Sequence, residues 1–343
     1  MTRRRVPLLV AILGASIVAV SLSVAAASAR SQATIKISIP GSTKSTPATV
    51  VEVAMPPAGT TIGVVTPLHA DPGQAAMDTA NQRVAKLVGA KSVMEDSALD
   101  ASKQLQIADS MLNRGFKPIF SDIIFPHSMD AFLKRASAKN VPVCIEFSTT
   151  PGGAQEDDMQ AGREMADYLH ELFPNGAKGA VLANTPAAVI LNREAGFAKG
   201  MKKYPNLKII AKQRNLKEVV AEARTLAEGM LQANPDIAFF WTTNDNEALG
   251  AGLAAKSLGK KVVILGMNGT PEAVDAVKKG IITATWDSNQ NLMGSLVAVN
   301  CFNWLASGKA PKASLVPFTR ITKDNAAEWI PWPKRPGMTV VAK

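Results

Sequence analysis

IAFFWTTNDNEALGAGLAAKSLGKKVVILGMNGTPEAVDAVKKG, residues 237–280, contains one pattern twice: an apolar strand, a polar residue at its end, and a helix. The two strands, 237–243 and 262–267, are rich in β-branched and aromatic residues and too short for buried helices. Both are apolar on both faces, which is typical of a parallel sheet covered by helices on each side. Ligands of open α/β sheets bind outside the carboxyl ends of strands. Asn244 and Asn268, which end the two strands, are therefore candidate ligand contacts.

The chain repeats this alternation of strands and helices from Thr60 onward. Strands that alternate with helices of ten or more residues indicate βαβ units and a parallel sheet. There are about ten such units, and the stretch TTPGG at 149–153 interrupts them near the middle. The sequence therefore predicts an α/β protein with two doubly wound parallel-sheet lobes.

The first 58 residues differ from the rest. Arg3-Arg4-Arg5, an apolar run at 6–24 and Ala27-Ser28-Ala29 follow the order of a secretory signal peptide. We expect residues 1–29 to be this signal peptide, cleaved before Arg30, and the mature protein to reach the periplasm. An uncleaved membrane anchor is the alternative. Residues 30–58 are rich in Ser, Thr, Pro and Ala, and we expect them to form a linker.

Charge and cysteine content limit the partners. The net charge of +10 falls to +7 when Arg3, Arg4 and Arg5 are removed. The remaining charges are interspersed, whereas a nucleic-acid surface shows a clustered basic stripe, so we expect no nucleic-acid partner. Cys144 and Cys301 both lie in apolar segments. Export permits a disulfide, but we expect both residues to be free, because a buried cysteine behaves as a small hydrophobe.

Catalytic and cofactor signatures are absent from the sequence. There is no G-x-S-x-G elbow, phosphate-binding loop or H-E-x-x-H motif. The three histidines, His69, His127 and His170, have no metal-ligand spacing. Residues 250–255 match G-x-G-x-x-A, but they fall inside a predicted helix and not in the turn after a strand. We therefore expect no cofactor, no metal and no catalytic residue.

Polar or aromatic residues recur at the predicted carboxyl ends of strands. Each one alone is more typical of a turn than of a binding site. On one edge of two facing sheets they form a cleft with amides, carboxylates and aromatic faces, which suits a small organic ligand. The residues are His69, Asp71, Phe125, Phe147, Ser148, Asn244, Asn268, Trp286 and Asp287.

Three motifs resemble those of a known family. They are REAGF at 193–197, TNDNEALGA at 243–251 and GMNGTP at 266–271. The last two are similar to the N-D-x-x-A-x-G-A and G-x-D-G-T-P stretches of type I periplasmic binding proteins of the ribose-binding kind, which serve ABC importers. The resemblance covers residues 60–322 approximately.

The resemblance implies two lobes joined by a three-segment hinge, with crossovers expected near 148–150, 288–289 and 313–316. It places 59–149 and 289–315 in the amino-terminal lobe, and 150–288 and 316–343 in the carboxy-terminal lobe. It also implies a monomer that captures a small sugar-like ligand by hinge closure, without chemistry, and delivers it to the membrane permease of an ABC importer.

The site departs from the ribose-type pattern. Phe147-Ser148 stands where ribose-type members have an Asp-Arg pair, and Leu191 occupies the position of a ligand-binding arginine. Arg193 occupies a second arginine position, Asn268 replaces an aspartate, and Phe125 replaces an asparagine. Asn244 matches a sugar contact, and Trp286-Asp287 is similar to a pair in autoinducer-2 and rhamnose binders. These exchanges imply a ligand with fewer hydroxyls than an aldopentose, or with an apolar face.

Other functions remain open at this point. The same fold could bind an aromatic or less hydroxylated molecule, or sense a ligand for a membrane receptor. A repressor-type effector domain would need a helix-turn-helix before residue 60, where the predicted signal peptide and linker leave no room. An exported enzyme could use Asp122 or Asp287, but no base or nucleophile is placed near either by spacing.

Overall fold

The computed structural model describes residues 33–125 and 127–342. The predicted signal peptide at 1–29 and its cleavage site before Arg30 lie outside the described residues. Within these residues, no helix is long and apolar enough to cross a membrane.

The segment 30–58, expected to be a linker, instead contributes an antiparallel hairpin from residue 34 onward. Strand β1 (Thr34–Ile39) pairs with strand β2 (Thr49–Ala54) along its whole length. The expectation was wrong because TIKISI alternates apolar and polar residues with the period of a strand. Its isoleucines at 35, 37 and 39 are all buried in the core of the first lobe.

The first lobe is built on a four-stranded parallel sheet in the order β4-β3-β5-β6. Its helices pack on both faces, as a doubly wound fold requires. In chain order its elements are β3 (Thr61–Thr66), α1 (Pro72–Leu87), β4 (Lys91–Asp96), α2 (Ala101–Asn113), β5 (Ile119–Ser121), α3 (Asp130–Ala138) and β6 (Val143–Ile145).

The second lobe has a six-stranded sheet in the order β14-β12-β11-β10-β8-β9, in which only β14 is antiparallel. A short strand leads into it, and a long helix separates its last two strands. In chain order, the elements from residue 154 to residue 322 are β7 (Ala154–Glu156), α4 (Asp158–Leu172), β8 (Ala177–Asn184), α5 (Ala188–Met201), β9 (Leu207–Asn215), α6 (Val220–Ala233), β10 (Phe239–Thr242), α7 (Asp245–Ser257), β11 (Val263–Asn268), α8 (Pro271–Lys278), β12 (Ala284–Asp287), α9 (Gln290–Ser307), β13 (Ser314–Val316) and β14 (Thr319–Thr322). The predicted fold class, two doubly wound lobes, is confirmed.

Three segments pass between the two sheets. One carries β7 between β6 and α4, one lies at 288–289 between β12 and α9, and one carries β13 before β14. Strands β7 and β13 pair with each other in parallel, so two of the three segments form one small ladder. Helix α9 packs on α1 and the hairpin, which places it in the first lobe.

The carboxy-terminal segment departs from the expected division. Residues 316–343 were all assigned to the second lobe, and Ala326 and Trp329 do pack in its core. The last strand, β15 (Thr339–Ala342), instead pairs antiparallel with β1 at the first lobe. A single turn of 3-10 helix, Trp332–Lys334, lies between these two regions and contacts α1. The chain therefore returns to the first lobe after β14.

Cys144 and Cys301 form a disulfide, so the expectation of two free cysteines was wrong. Cys144 lies on β6 and Cys301 on α9, 157 residues apart in sequence. Both side chains are fully buried in one core cluster, as the apolar segments predicted. Burial as hydrophobes and covalent pairing are compatible, and no local pattern in the sequence reveals the contact between strand and helix.

Candidate ligand-binding cleft

A cavity of about 960 Å³ opens between the two lobes. Its walls are formed by the carboxyl ends of strands and the amino termini of helices from both sheets. The segment that begins α9 contributes the floor next to the hinge. This is the place where open α/β sheets bind ligands.

The second-lobe wall carries Asn244 and Asn268 at the ends of β10 and β11. Oδ1 of Asn244 caps α7 by accepting the backbone N–H groups of Asn246 at 3.0 Å and Glu247 at 3.3 Å. Oδ1 of Asn268 accepts from Nη1 of Arg193 at 2.9 Å. These donors define the orientation of both amides, because only the carbonyl end can accept. Each residue therefore has its Nδ2 group left for a ligand.

Asn184, at the end of β8, lies on the same wall. Its Oδ1 accepts from the hydroxyl of Thr243 at 2.7 Å, and its backbone N–H donates to the same hydroxyl oxygen at 3.0 Å. Three amide groups thus lie at three neighbouring strand ends, and in all three the oxygen is engaged by the protein. The second lobe presents hydrogen-bond donors to the cavity.

Arg193 lies behind this wall and is almost fully buried. Its Nε donates to Asp158 at 2.8 Å, its Nη2 to Glu156 at 3.2 Å, and its Nη1 to the carbonyl of Thr243 at 2.8 Å. Burial by itself lowers the pKa of Arg193, but the charges of Glu156 and Asp158 outweigh burial and the pKa is raised. The guanidinium stays charged, and its charge is compensated by the protein.

The first-lobe wall is built from the amino terminus of α1 and the end of β5. Asp71 caps α1 through Oδ1, which accepts the N–H of Gln74 at 2.8 Å. Nε2 of Gln74 donates to Asp78 at 3.0 Å and to Glu146 at 2.8 Å, which leaves its Oε1 free. Asp122 follows β5, and burial together with the charge of Asp78 raises its pKa to about 6. This wall presents acceptors.

A buried carboxyl cluster supports the first-lobe wall from beneath. Glu146 accepts from Nδ2 of Asn81 at 2.7 Å as well as from Gln74. Burial raises the pKa of Glu146 to about 8, and the charges of Asp78 and Asp122 add to that effect. Among the described residues, no group of three or more His, Cys, Asp and Glu residues could hold a metal ion. The cluster positions the amide of Gln74.

Gln290 joins the two walls at the hinge. Its Nε2 donates to Ser288 at 2.8 Å and to Oε1 of Glu156 at 3.1 Å, so the amide orientation is again determined. Its Oε1 has no hydrogen-bond partner among the described residues. Trp332 lines the cavity nearby, and its indole Nε1 is also unpartnered.

A family model described as a periplasmic binding protein domain matches residues 62–310. The chain belongs to the periplasmic binding protein family. The match spans the first sheet, every strand of the second sheet except β14, and the whole of α9, and therefore both walls of the cavity. The resemblance seen in the three motifs is confirmed.

Relatives of this periplasmic binding protein include the ribose import binding protein RbsB of Bacillus subtilis, 27% identical over 241 residues, or 69% of this chain and 78% of the relative. The D-apiose import binding protein of Paraburkholderia graminis is 26% identical over 279 residues, or 78% of this chain and 88% of the relative. A solved periplasmic ribose ABC transporter protein from Conexibacter woesei has the same fold, with a TM-score of 0.73 at 17% identity over 78% of this chain and 93% of that structure.

Five of the residues predicted from sequence line the cavity of this periplasmic binding protein. They are Asp71, Phe147, Arg193, Asn244 and Asn268. Phe147 has a positive φ of 50° and a side chain exposed at the mouth of the cleft. A ligand would contact the hydrogen-bond partners of Arg193 and not its guanidinium group, because nearly all of its N–H groups already donate within the protein.

Four other predicted residues lie outside the cavity lining. His69 binds Asp78 through Nδ1 at 2.8 Å, next to the buried carboxyl cluster. The hydroxyl of Ser148 donates to Thr150 at 2.9 Å in the first crossover. Phe125 and Leu191 are exposed at the surface of the two lobes. None of the four contacts the space that a ligand would fill in this structure.

The prediction from sequence that Trp286 and Asp287 line the cleft was wrong. Trp286 is fully buried in a core of the second lobe and packs edge-on against Tyr168, at 5.9 Å between ring centroids. Asp287 is fully buried and accepts from Ser42, Asn289, Trp329 and Arg335 at 2.6 to 2.9 Å. The pair was expected among the residues that form the cleft, but β12 directs Trp286 into the core and Asp287 into the hinge.

Sequence reasoning missed several lining residues. Asn184 ends β8, and Asp122, considered from sequence only as a catalytic residue, follows β5. The rule that selected Asn244 could have found both as ligand contacts. Gln74 and Gln290 lie in the first turns of α1 and α9, where helix amino termini face the cleft. Glu156 and Trp332 carry no local signal, because only the crossings of the chain bring them to the cavity.

Proposed function

We propose that the protein is exported to the periplasm and binds a sugar or sugar-like solute in the interlobe cleft for delivery to an ABC importer. The observation that carries the proposal is that one cavity receives free hydrogen-bonding groups from both lobes. Relatives that match most of the chain are named as import binding proteins for ribose and D-apiose.

Hinge closure follows from this arrangement. A ligand shifts the balance between open and closed forms only by its greater affinity for the closed form, so it must contact both walls. Three short crossovers near the cavity floor are suited to absorb the change of backbone angles. The protein acts as a monomer that presents its closed form to a membrane permease, after removal of residues 1–29.

Thermal-shift measurements on residues 30–343 with aldoses, ketoses and polyols test the proposal. A ligand that binds only the folded state adds about 2.7 kcal/mol to the free energy of unfolding when its concentration is one hundred times its Kd, and it therefore raises the melting temperature. Small-angle scattering with the best ligand should show a smaller radius of gyration than without it. A melting temperature unmoved by every sugar and polyol would reject solute capture of this class.

A further inference from the structure

The two walls of the cleft are opposite in hydrogen-bonding character. In the second lobe the oxygens of Asn244 and Asn268 are held by backbone N–H groups and by Arg193, so only their Nδ2 donors remain. In the first lobe Nε2 of Gln74 is held by two carboxylates, so only its Oε1 acceptor remains. Apart from the carboxylate of Glu272 on α8, a ligand therefore meets side-chain acceptors on the first lobe and side-chain donors on the second.

The cavity also carries more negative than positive charge. Asp71, Asp122 and Glu272 line it, and none of the three forms an ion pair with a described residue. The guanidinium of Arg193 is the cationic group of the lining, and it lies between Glu156 and Asp158. A cleft lined by charges of one sign raises the local concentration of ions of opposite sign.

Gln290 has a buried oxygen that accepts no hydrogen bond from the part of the protein that the structure describes. Gln290 is only 7% exposed, and its Oε1 has no partner among the described residues, although its Nε2 donates to Glu156 and Ser288. A buried acceptor left without a donor is unfavourable, because it has lost its hydrogen bonds to water. Gln290 lines the cavity, and a ligand donor that reaches this oxygen as the cleft closes would satisfy it.

We propose that the ligand is a polyhydroxylated amine, such as an amino sugar or an aminated polyol. Its ammonium group lies against the first lobe near Asp71 and Asp122, and its hydroxyl or ring oxygens accept from the amides of the second lobe. The inference rests on the proposed function, since it names the class of solute that the same cleft takes.

Matched pairs of compounds test this inference by isothermal titration. D-glucosamine, D-galactosamine and 1-amino-1-deoxysorbitol are compared with D-glucose, D-galactose and sorbitol at pH 7. We expect at least one amine to bind about tenfold more tightly than its hydroxyl counterpart, which is a difference of about 1.4 kcal/mol in binding free energy. Equal or tighter binding by the neutral members overturns the inference and leaves the proposed function standing. Absence of binding across the panel overturns the inference and also counts against sugar capture.

Variants locate the effect. Asp122→Asn preserves shape and removes one charge, and Asp71→Asn keeps an oxygen that can cap α1. The control is Asp130→Asn, on the exposed start of α3 and outside the cavity. We expect the ratio of amine to hydroxyl affinity to fall about tenfold in the Asp71→Asn, Asp122→Asn double variant and to stay unchanged in the control. An unchanged ratio in the double variant overturns the inference.

Discussion

Nη2 of Arg335 donates to Oδ2 of Asp287 at 2.6 Å, and both side chains are buried, although 48 residues separate them in sequence. The same carboxylate accepts from the indole of Trp329 and from the hydroxyl of Ser42. Asp287 therefore joins the end of β12 to the amino-terminal hairpin loop and to the returning carboxy-terminal segment. The relationship stabilises the hinge region and does not involve the ligand directly.

Replacement of Asp287 by Asn should therefore destabilise the fold. Removing one partner of a buried ion pair leaves the other charge uncompensated, which costs about 3–5 kcal/mol. Urea unfolding of the variant and the parent protein measures the loss. Asp275→Asn, an exposed pair with Lys278, is the matched control and should change stability by less than about 1 kcal/mol. Equal stability of Asp287→Asn and parent would contradict the structural role.

Local patterns explain what could be predicted from the sequence. The strand and helix alternation, the asparagines that end β10 and β11, and the Thr270-Pro271 start of α8 are all encoded within a few neighbouring residues. Short-range rules for periodicity and capping are sufficient for such features.

Long-range contacts explain what could not be predicted. The partners of Asp287 lie up to 245 residues away, and the disulfide joins residues 157 apart. Trp286 and Asp287 occupy a strand end, as Asn244 does, and only the packing of Tyr168 and the returning segment decides where they point. A rule about strand ends identifies candidates but cannot tell a ligand contact from a hinge contact.

Asn244 has two separable roles, in capping and in binding. Asn244→Ala removes the α7 cap, at a cost of about 1 kcal/mol, and also the Nδ2 donor. Asn244→Ser keeps an oxygen for the cap but replaces the Nδ2 group with a hydroxyl one atom closer to the backbone, too short to reach the position of Nδ2. It should therefore retain most of the stability. We expect both variants to lose about 1–3 kcal/mol of affinity for the best ligand of the thermal-shift screen. Titration and melting experiments check the two effects, and full affinity in Asn244→Ser would remove the residue from the binding site.

The disulfide between Cys144 and Cys301 should stabilise the first lobe. It closes a long loop, and such cross-links contribute about 2–5 kcal/mol, mainly by constraining the unfolded chain. Guanidinium unfolding with and without a reductant measures this contribution. The Cys144→Ala, Cys301→Ala variant is the control, because its lower stability should no longer respond to the reductant. A reductant effect of the same size in the control would assign it to another cause.

The buried carboxyl of Glu146 predicts how stability depends on pH. Burial raises its pKa from 4.5 to about 8, with Asp78 on α1 and Asp122 after β5 adding repulsion. The unfolded chain loses this proton near pH 4.5 and the folded chain keeps it to about pH 8, so the contribution to stability falls as pH rises through that window. Glu146→Gln has no proton to lose. Its Oε1 can accept from Nε2 of Gln74, and its Nε2 can donate to the unpartnered Oδ1 of Asn81 once the amide of Asn81 turns over. We expect its stability relative to the parent to increase by about 1–3 kcal/mol from pH 5 to pH 8 in urea unfolding. Glu218→Gln, at an exposed position, should show no such trend. A difference between Glu146→Gln and parent that stays constant with pH would mean that Glu146 is ionised in the folded protein throughout this range.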